Sequence, residues 1–167
     1  MRRVQIFNKQ LNKFFSDYKL KKWISDIFYF NRSITGSGTL KTLKYIKKNI
    51  NQNFVIKNFK SGEKVYDWKI PKQWEIKEAY INCENKKICD FKDNNLHIVG
   101  YSHPIKKKLN YNQIKKKINT LKSIPDAIPY VTSYYKKNWG FCMKYNEFKK
   151  LDKKKKYDVL INSKLFN

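Results

Sequence analysis

The chain is short of arginine, glycine, proline, cysteine and acidic residues. Its three cysteines, Cys83, Cys89 and Cys142, are too few and too irregularly spaced for a disulfide framework or a zinc ribbon. They fit a reducing, cytoplasmic setting. No uninterrupted apolar run approaches ~20 residues, which excludes a membrane-spanning helix. The opening MRRVQIFNKQLNKFF has charges but no apolar signal core.

Acids are outnumbered 13 to 38 by Lys and Arg, a formal charge of +25 over 167 residues. The excess is uneven: residues 1–62 hold 14 basic residues against 2 acids, 63–93 hold 7 against 7, and 94–167 hold 17 against 4. A clustered basic surface gains affinity for nucleic acid by releasing counterions from phosphate. Only 3 of the 38 basic residues are arginine, although the planar arginine fork suits phosphates and bases better than the point charge of lysine. Abundant Lys, Asn, Ile, Tyr and Phe beside scarce Ala, Gly, Pro and Arg is also what strong A+T bias does to surface positions. Mutational bias and a nucleic-acid partner both account for the charge. Against that bias, Arg32, Gly36, Gly38, Gly100 and Gly140 stand out, and a geometric need for the residue is the expectation to test at each.

What is plentiful is apolar and aromatic material, 41% and 16% of the chain, enough for one core or slightly more. Apolar residues at 11, 14, 15, 18, 20, 23, 24, 27 and 28 predict an amphipathic helix. NRSITGSGT interrupts it, and Leu40, Leu43, Ile46 and Ile50 resume a helical period with Ser37 or Thr39 available as N-cap. Extended runs follow, NFVIKNF, EKVYDWKI, EAYINC, KKICDF and NLHIVGY, separated by turn signals, and predict a compact antiparallel sheet. Asn110 to Leu121 reads as a short helix. Pro125 and Pro129 impose an extended entry to PYVTSYYKKNWGFC. Tyr157 to Ile161 reads as an apolar strand that either pairs back with Asn53 to Phe59 or belongs to a sheet continued elsewhere.

The loop RSITGSGT sets glycines and hydroxyls at a helix N-terminus, where an anion is favoured, and Arg32 beside it suits a carboxylate or phosphate. It lacks the Gly-Lys-Ser/Thr ending of a nucleotide-binding P-loop. His97 and His103, six residues apart without clustered carboxylates, do not make a metal site. Cys142 has no neighbouring base in sequence and reads as a buried structural thiol. Tyr130, Tyr134, Tyr135, Trp139 and Phe141 are able to stack single-stranded bases or to fill a core.

Five phrases, NRSITGSGTLKTL, VYDWKIPKQWEIKEAYI, DFKDNNLHIVGYSHPI, DAIPYVTSYYKKNWGFC and YDVLINSKL, in that order over about Phe28 to Leu165, resemble the N-terminal part of a bacterial aminopeptidase-like family. That family has long been labelled a domain of unknown function and is often encoded among polysaccharide-biosynthesis genes. The resemblance implies an α+β or α/β fold in three parts. Residues 1–60 are the N-terminal helices and first strand, 61–151 a β-rich inserted subdomain, and 152–167 the first strand of a truncated zinc-aminopeptidase-like sheet. Zinc is implied for the full-length family, whose members are well over twice this length. The candidate ligands, including a Cys-His-Pro phrase, lie downstream of the strand at Tyr157, so no zinc is expected on this chain alone. The implied substrate is a peptide or amide, and the implied partner is the missing C-terminal half or a second copy. No catalytic or metal residue carries over. Arg32, Ser33, Thr35, His97, Tyr134, Tyr135 and Trp139 match the family pattern and are expected to wall a substrate cleft. A small basic RNA-binding or ribosome-associated protein is the alternative.

Overall fold

The computed structural model describes residues 17–49 and 53–167. Two helices come first, α1 (Asp17–Phe28) and α2 (Ser37–Asn49), then a minimal hairpin of β1 (Lys64–Val65) and β2 (Trp68–Lys69). The main sheet is built from β3 (Gln73–Cys83), β4 (Lys86–Asp90), β5 (Ile105–Asn110) and β8 (Lys156–Phe166), in the order β4-β3-β8-β5 with every neighbour antiparallel. Between β5 and β8 lie the helical turn α3 (Tyr111–Ile114), the short parallel pair β6 (Ile118–Asn119) and β7 (Phe141–Cys142), and α4 (Tyr145–Phe148). The mixed α/β class expected from the sequence stands.

Period-two burial defines the sheet's inner face. On β8, Tyr157, Val159, Ile161 and Ser163 are buried while Asp158, Asn162 and Lys164 face out. On β3 the buried positions change parity, from Trp74 to Ala79 and Ile81. The register shift between Ile76 and Glu78 inserts the extra residue that makes the change. Glu84 and Asn85, both at positive φ, close the β3–β4 hairpin as a two-residue turn of the primed type. Phe141 and Met143, fully buried, and Ile98 and Ile114 cover the inner face.

Three strand readings are corrected. YDVLI is not an uncovered strand, nor does it pair with Asn53 to Phe59. It is the middle of β8, held by β3 on one side and β5 on the other, with Ala79 opposite Ile161 and Leu109 opposite Tyr157. The segment NFVIKNF forms no ladder. NLHIVGY is a 3₁₀ turn, Asn95–His97, followed by isolated bridges at Ile98 and Gly100; Asn94 Oδ1 accepts from Leu96 N–H at 2.9 Å and Asn94 O from His97 N–H at 3.0 Å, a local cap that starts the turn in place of a strand. The helix expected over Asn110 to Leu121 shrinks to α3 and a 3₁₀ turn, Lys115–Lys117, before β6 begins. Asn110 and Gln113 form its capping box.

The two larger helices match expectation where described; Leu11 to Ser16 and Ile50 lie outside the described residues. Neither Ser37 nor Thr39 serves as the expected cap: Leu40 N–H donates to Gly36 O at 3.1 Å, and Thr39 Oγ1 donates to Ser33 O at 2.5 Å. Gly36 takes φ +114°, and a Cβ on Gly38 would sit 1.9 Å from Asn31 O. The helix start passes that close to the preceding backbone only because position 38 has no side chain. Gly38→Ala is therefore expected to lower stability by about 1–3 kcal/mol, as overpacking does, read as a fall in urea midpoint at unchanged slope.

Candidate functional site

Tyr101 is where two of the expected site residues, Thr35 and Tyr134, meet. The loop carrying it is laced to two others: Gly100 N–H donates to Val131 O at 2.9 Å, Ser133 N–H to Gly100 O at 3.0 Å, and Gly140 N–H to Ser102 Oγ at 3.2 Å. Trp74 Nε1–H and Ser163 Oγ–H both donate to Ser102 O, at 2.9 and 2.7 Å, which ties the loop to β3 and β8. These restraints hold Tyr101 at φ +64°, a left-handed conformation unusual for a bulky residue. Its buried ring lies stacked 5.9 Å from Trp74 and meets Tyr134 edge-on at 5.0 Å.

The hydroxyl of Tyr101 lies 3.1 Å from Thr35 Oγ1. Thr35 donates its own proton to Lys72 O at 3.3 Å, so Tyr101 is the donor of the pair. Tyr134 continues the cluster to Tyr130, their hydroxyls 3.4 Å apart. That hydrogen bond, with burial second, pushes the Tyr130 phenol up to about 12. At neutral pH it offers a hydrogen bond rather than a base. Arg32 lines the same cavity of about 270 Å³ as Tyr130 and Trp74. Thus Thr35 and Tyr134 meet around Tyr101, with Arg32 in the neighbouring cavity beside Tyr130; Tyr101 stands in the phrase DFKDNNLHIVGYSHPI but is not among the expected site residues. Tyr135 stands beside them, largely exposed, its hydroxyl donating to Lys69 O at 3.3 Å.

Three expected residues sit elsewhere. Ser33 donates within its own turn to Thr35 O. His97 places Nδ1 2.8 Å from Cys142 O, which fixes the proton on Nδ1, and it lines none of the described cavities. Trp139 lies against the core beneath Lys117, whose Nζ is 5.1 Å from the ring centroid. Several of the donors expected for an anion at RSITGSGT are already used: one Arg32 nitrogen donates to Ile27 O, and the Ser33, Thr35 and Thr39 hydroxyls all donate to backbone carbonyls.

Among the described residues, no three His, Cys, Asp or Glu side chains gather as a metal site, so the donor set for the implied zinc is not found there. Cys89 and Cys142 are buried; burial pushes both thiols up, Cys142 to about 12. Neutral thiols without access are inert. With a thiol-specific chromogenic reagent at pH 8, only the partly exposed Cys83 is expected to react in the native protein, all three reacting after denaturation.

A mixed α/β unit with an antiparallel sheet and an aromatic, polar cluster at one end is what the fold defines, and its sequence matches the profile of the domain of unknown function DUF2172 over residues 73–164. The chain belongs to that family. It is 45% identical over 143 residues to a Clostridium acetobutylicum protein provisionally described as a polysaccharide biosynthesis protein with an aminopeptidase-like domain, covering 85% of this chain and 32% of that protein. A crystal structure of a provisionally assigned peptidase from Clostridium acetobutylicum superposes with a TM-score of 0.87 at 40% identity, over 98% of this chain and 38% of the other. The chain thus spans about a third of the length of these relatives.

Proposed function

We propose that this chain is the N-terminal portion of a zinc-dependent aminopeptidase-like hydrolase. It supplies wall residues of the substrate cleft, while further polypeptide supplies the metal and the hydrolytic chemistry. The observation that carries this reading is the uncovered face of α1. Leu20, Ile24 and Phe28 recur every four residues and form one stripe, yet they are 42%, 53% and 43% exposed. Among the described residues α1 buries no side chain and α2 buries only Thr42.

The helix pair is held in place by polar ties. Tyr45 Oη–H donates to Asp26 Oδ2 at 2.6 Å across the two helices, and Asn95 Nδ2–H donates to Phe28 O at 2.9 Å. The Tyr45 bond, then Lys22, lowers the Asp26 carboxyl, and the same bond raises the Tyr45 phenol to about 12. A lowered carboxyl contributes stability above its unfolded value and loses it as pH falls through the folded one. A raised phenol contributes below its unfolded value and loses it as pH rises through about 12. The tie therefore acts at full strength from about pH 4 to about pH 10. It positions an apolar stripe that the described residues leave bare.

The same helices occur within a relative's much longer chain, and an apolar face of that remaining aminopeptidase-like portion, continuous with this chain or as a separate subunit, is the occupant that fits. The test is to mix this chain with the unmatched remainder of the clostridial relative, loaded with zinc. A one-to-one complex in sedimentation is expected, with hydrolysis of an aminoacyl anilide only when both parts are present, and Ile24→Lys is expected to weaken association at least tenfold. Two folded parts that fail to associate would end the proposal, as would association untouched by Ile24→Lys.

A further inference from the structure

We infer that the cleft of about 660 Å³ beside Tyr134 and Tyr135 binds a small anion carrying a sugar-sized ring, a sugar phosphate or an acidic sugar. One wall comes from β2 and the residues after it, with Lys69 and Lys72; the other is the turn carrying Tyr135, Lys136 and Lys137, and His103 also lines the space. No aspartate or glutamate side chain lines it, and four lysines face the single backbone carboxylate of Asn167, which is part of the lining. The described ion pairs engage Lys22, Lys87, Lys108, Lys144 and Lys155. The four cleft lysines have no described partner for their ammonium groups, and like charges converging on one concave space raise the local concentration of anions.

Two features separate this place from the general basic surface. The cavity falls within the range of small-molecule sites, roughly 300–1,000 Å³, which a merely lysine-coated surface does not provide. Its aromatic wall is also fixed. Tyr135 is 64% exposed, yet its hydroxyl is tied across the cleft to Lys69 O, and the neighbouring Tyr134 is braced by Tyr101 and Tyr130. A large ring held in place while facing solvent loses little entropy on stacking against a sugar face. Lysine ammonium groups, as compact point charges, accept phosphate or carboxylate without demanding a planar fork. A strand of nucleic acid would need a groove tracking several phosphates; one cleft with one presented ring fits a single sugar-sized anion.

The inference concerns binding by this chain and stands apart from its docking on a metal-bearing portion. Titration calorimetry of the full chain would use glucose 1-phosphate, galacturonate, glucose, inorganic phosphate and a twelve-nucleotide single strand as probes. One or both anionic sugars are expected to bind with one-to-one stoichiometry at least tenfold more tightly than glucose or inorganic phosphate; which of the two binds separates phosphate from carboxylate as the recognised group. Lys136→Gln/Lys137→Gln and Tyr135→Ala should each weaken that binding at least tenfold. Lys153→Gln/Lys154→Gln, exposed, outside the cleft and equal in charge change, should leave it within twofold. Equal loss in both lysine pairs would reduce the effect to net charge and overturn the inference. Binding of the oligonucleotide alone would transfer the site to nucleic acid, and no sugar binding by a natively folded chain would remove it.

Discussion

Replacing Tyr101 with alanine is expected to destabilise the chain by about 3–5 kcal/mol, the range for deleting a buried aromatic side chain. Against a total stability of roughly 5–15 kcal/mol for a domain, that loss brings unfolding within reach of mild heating. The ring is 2% exposed and sits between Trp74 and Tyr134, so its removal opens a void on the sheet's inner face and withdraws the support of the aromatic wall together. Tyr101→Phe keeps both ring contacts and removes only the hydrogen bond to Thr35, with an expected loss of about 1 kcal/mol. Urea titration of the two variants separates packing from the polar tie. Equal losses would show that the hydroxyl, not the ring, organises the cluster.

Val159→Asp is expected to abolish cooperative folding. Val159 is 2% exposed at the centre of β8, opposite Ile81 on β3 and Lys107 on β5. A carboxylate there would be buried among Ile81, Tyr157 and Ile161 without a described partner, a change in the class that exceeds about 4 kcal/mol. Asp158→Val, one residue away on the outer face, removes only an exposed pair with Lys108 at 3.7 Å, worth roughly 0–1 kcal/mol. Far-ultraviolet circular dichroism during thermal melting distinguishes the two. A cooperative Val159→Asp melt close to the parent's would contradict the antiparallel core placed here.

Which parts of this fold are legible in the sequence follows from how local their causes are. The helices show themselves because 3.6-residue periodicity and the break at NRSITGSGT are both local. The β3–β4 hairpin shows itself in the turn residues Glu84 and Asn85. β5 does not, because IKKKLN is an edge strand whose three successive lysines erase any alternation. Edge strands are commonly protected from unwanted pairing by such charge. The partners of β8 are equally hidden, since Ile161 meets Ala79 and Ile105 from far along the chain and nothing local records a non-local register.

The candidate site divides the same way. Thr35 and Tyr134, polar and aromatic residues in phrases shared with the family, both meet Tyr101, and Arg32 lines the neighbouring cavity with Tyr130. His97 and Trp139, marked by the same phrases, are used in hydrogen bonding to Cys142 and in packing under Lys117. Tyr101, which joins Thr35 to Tyr134, stands in the phrase DFKDNNLHIVGYSHPI, but no periodicity singles it out there, because its left-handed backbone is imposed by hydrogen bonds from Gly100 and its neighbours.

The proposal that α1 docks on a longer aminopeptidase-like polypeptide is tested most directly by hydrogen exchange across Asp17–Phe28. Amides there should exchange orders of magnitude faster than those of β3 and β8 in the dilute chain, since the helix buries none of its described side chains, and should become protected in the complex with the clostridial remainder. Protection equal to that of β8 in the monomeric chain, or no change on adding a saturating excess of the remainder, would contradict the proposal.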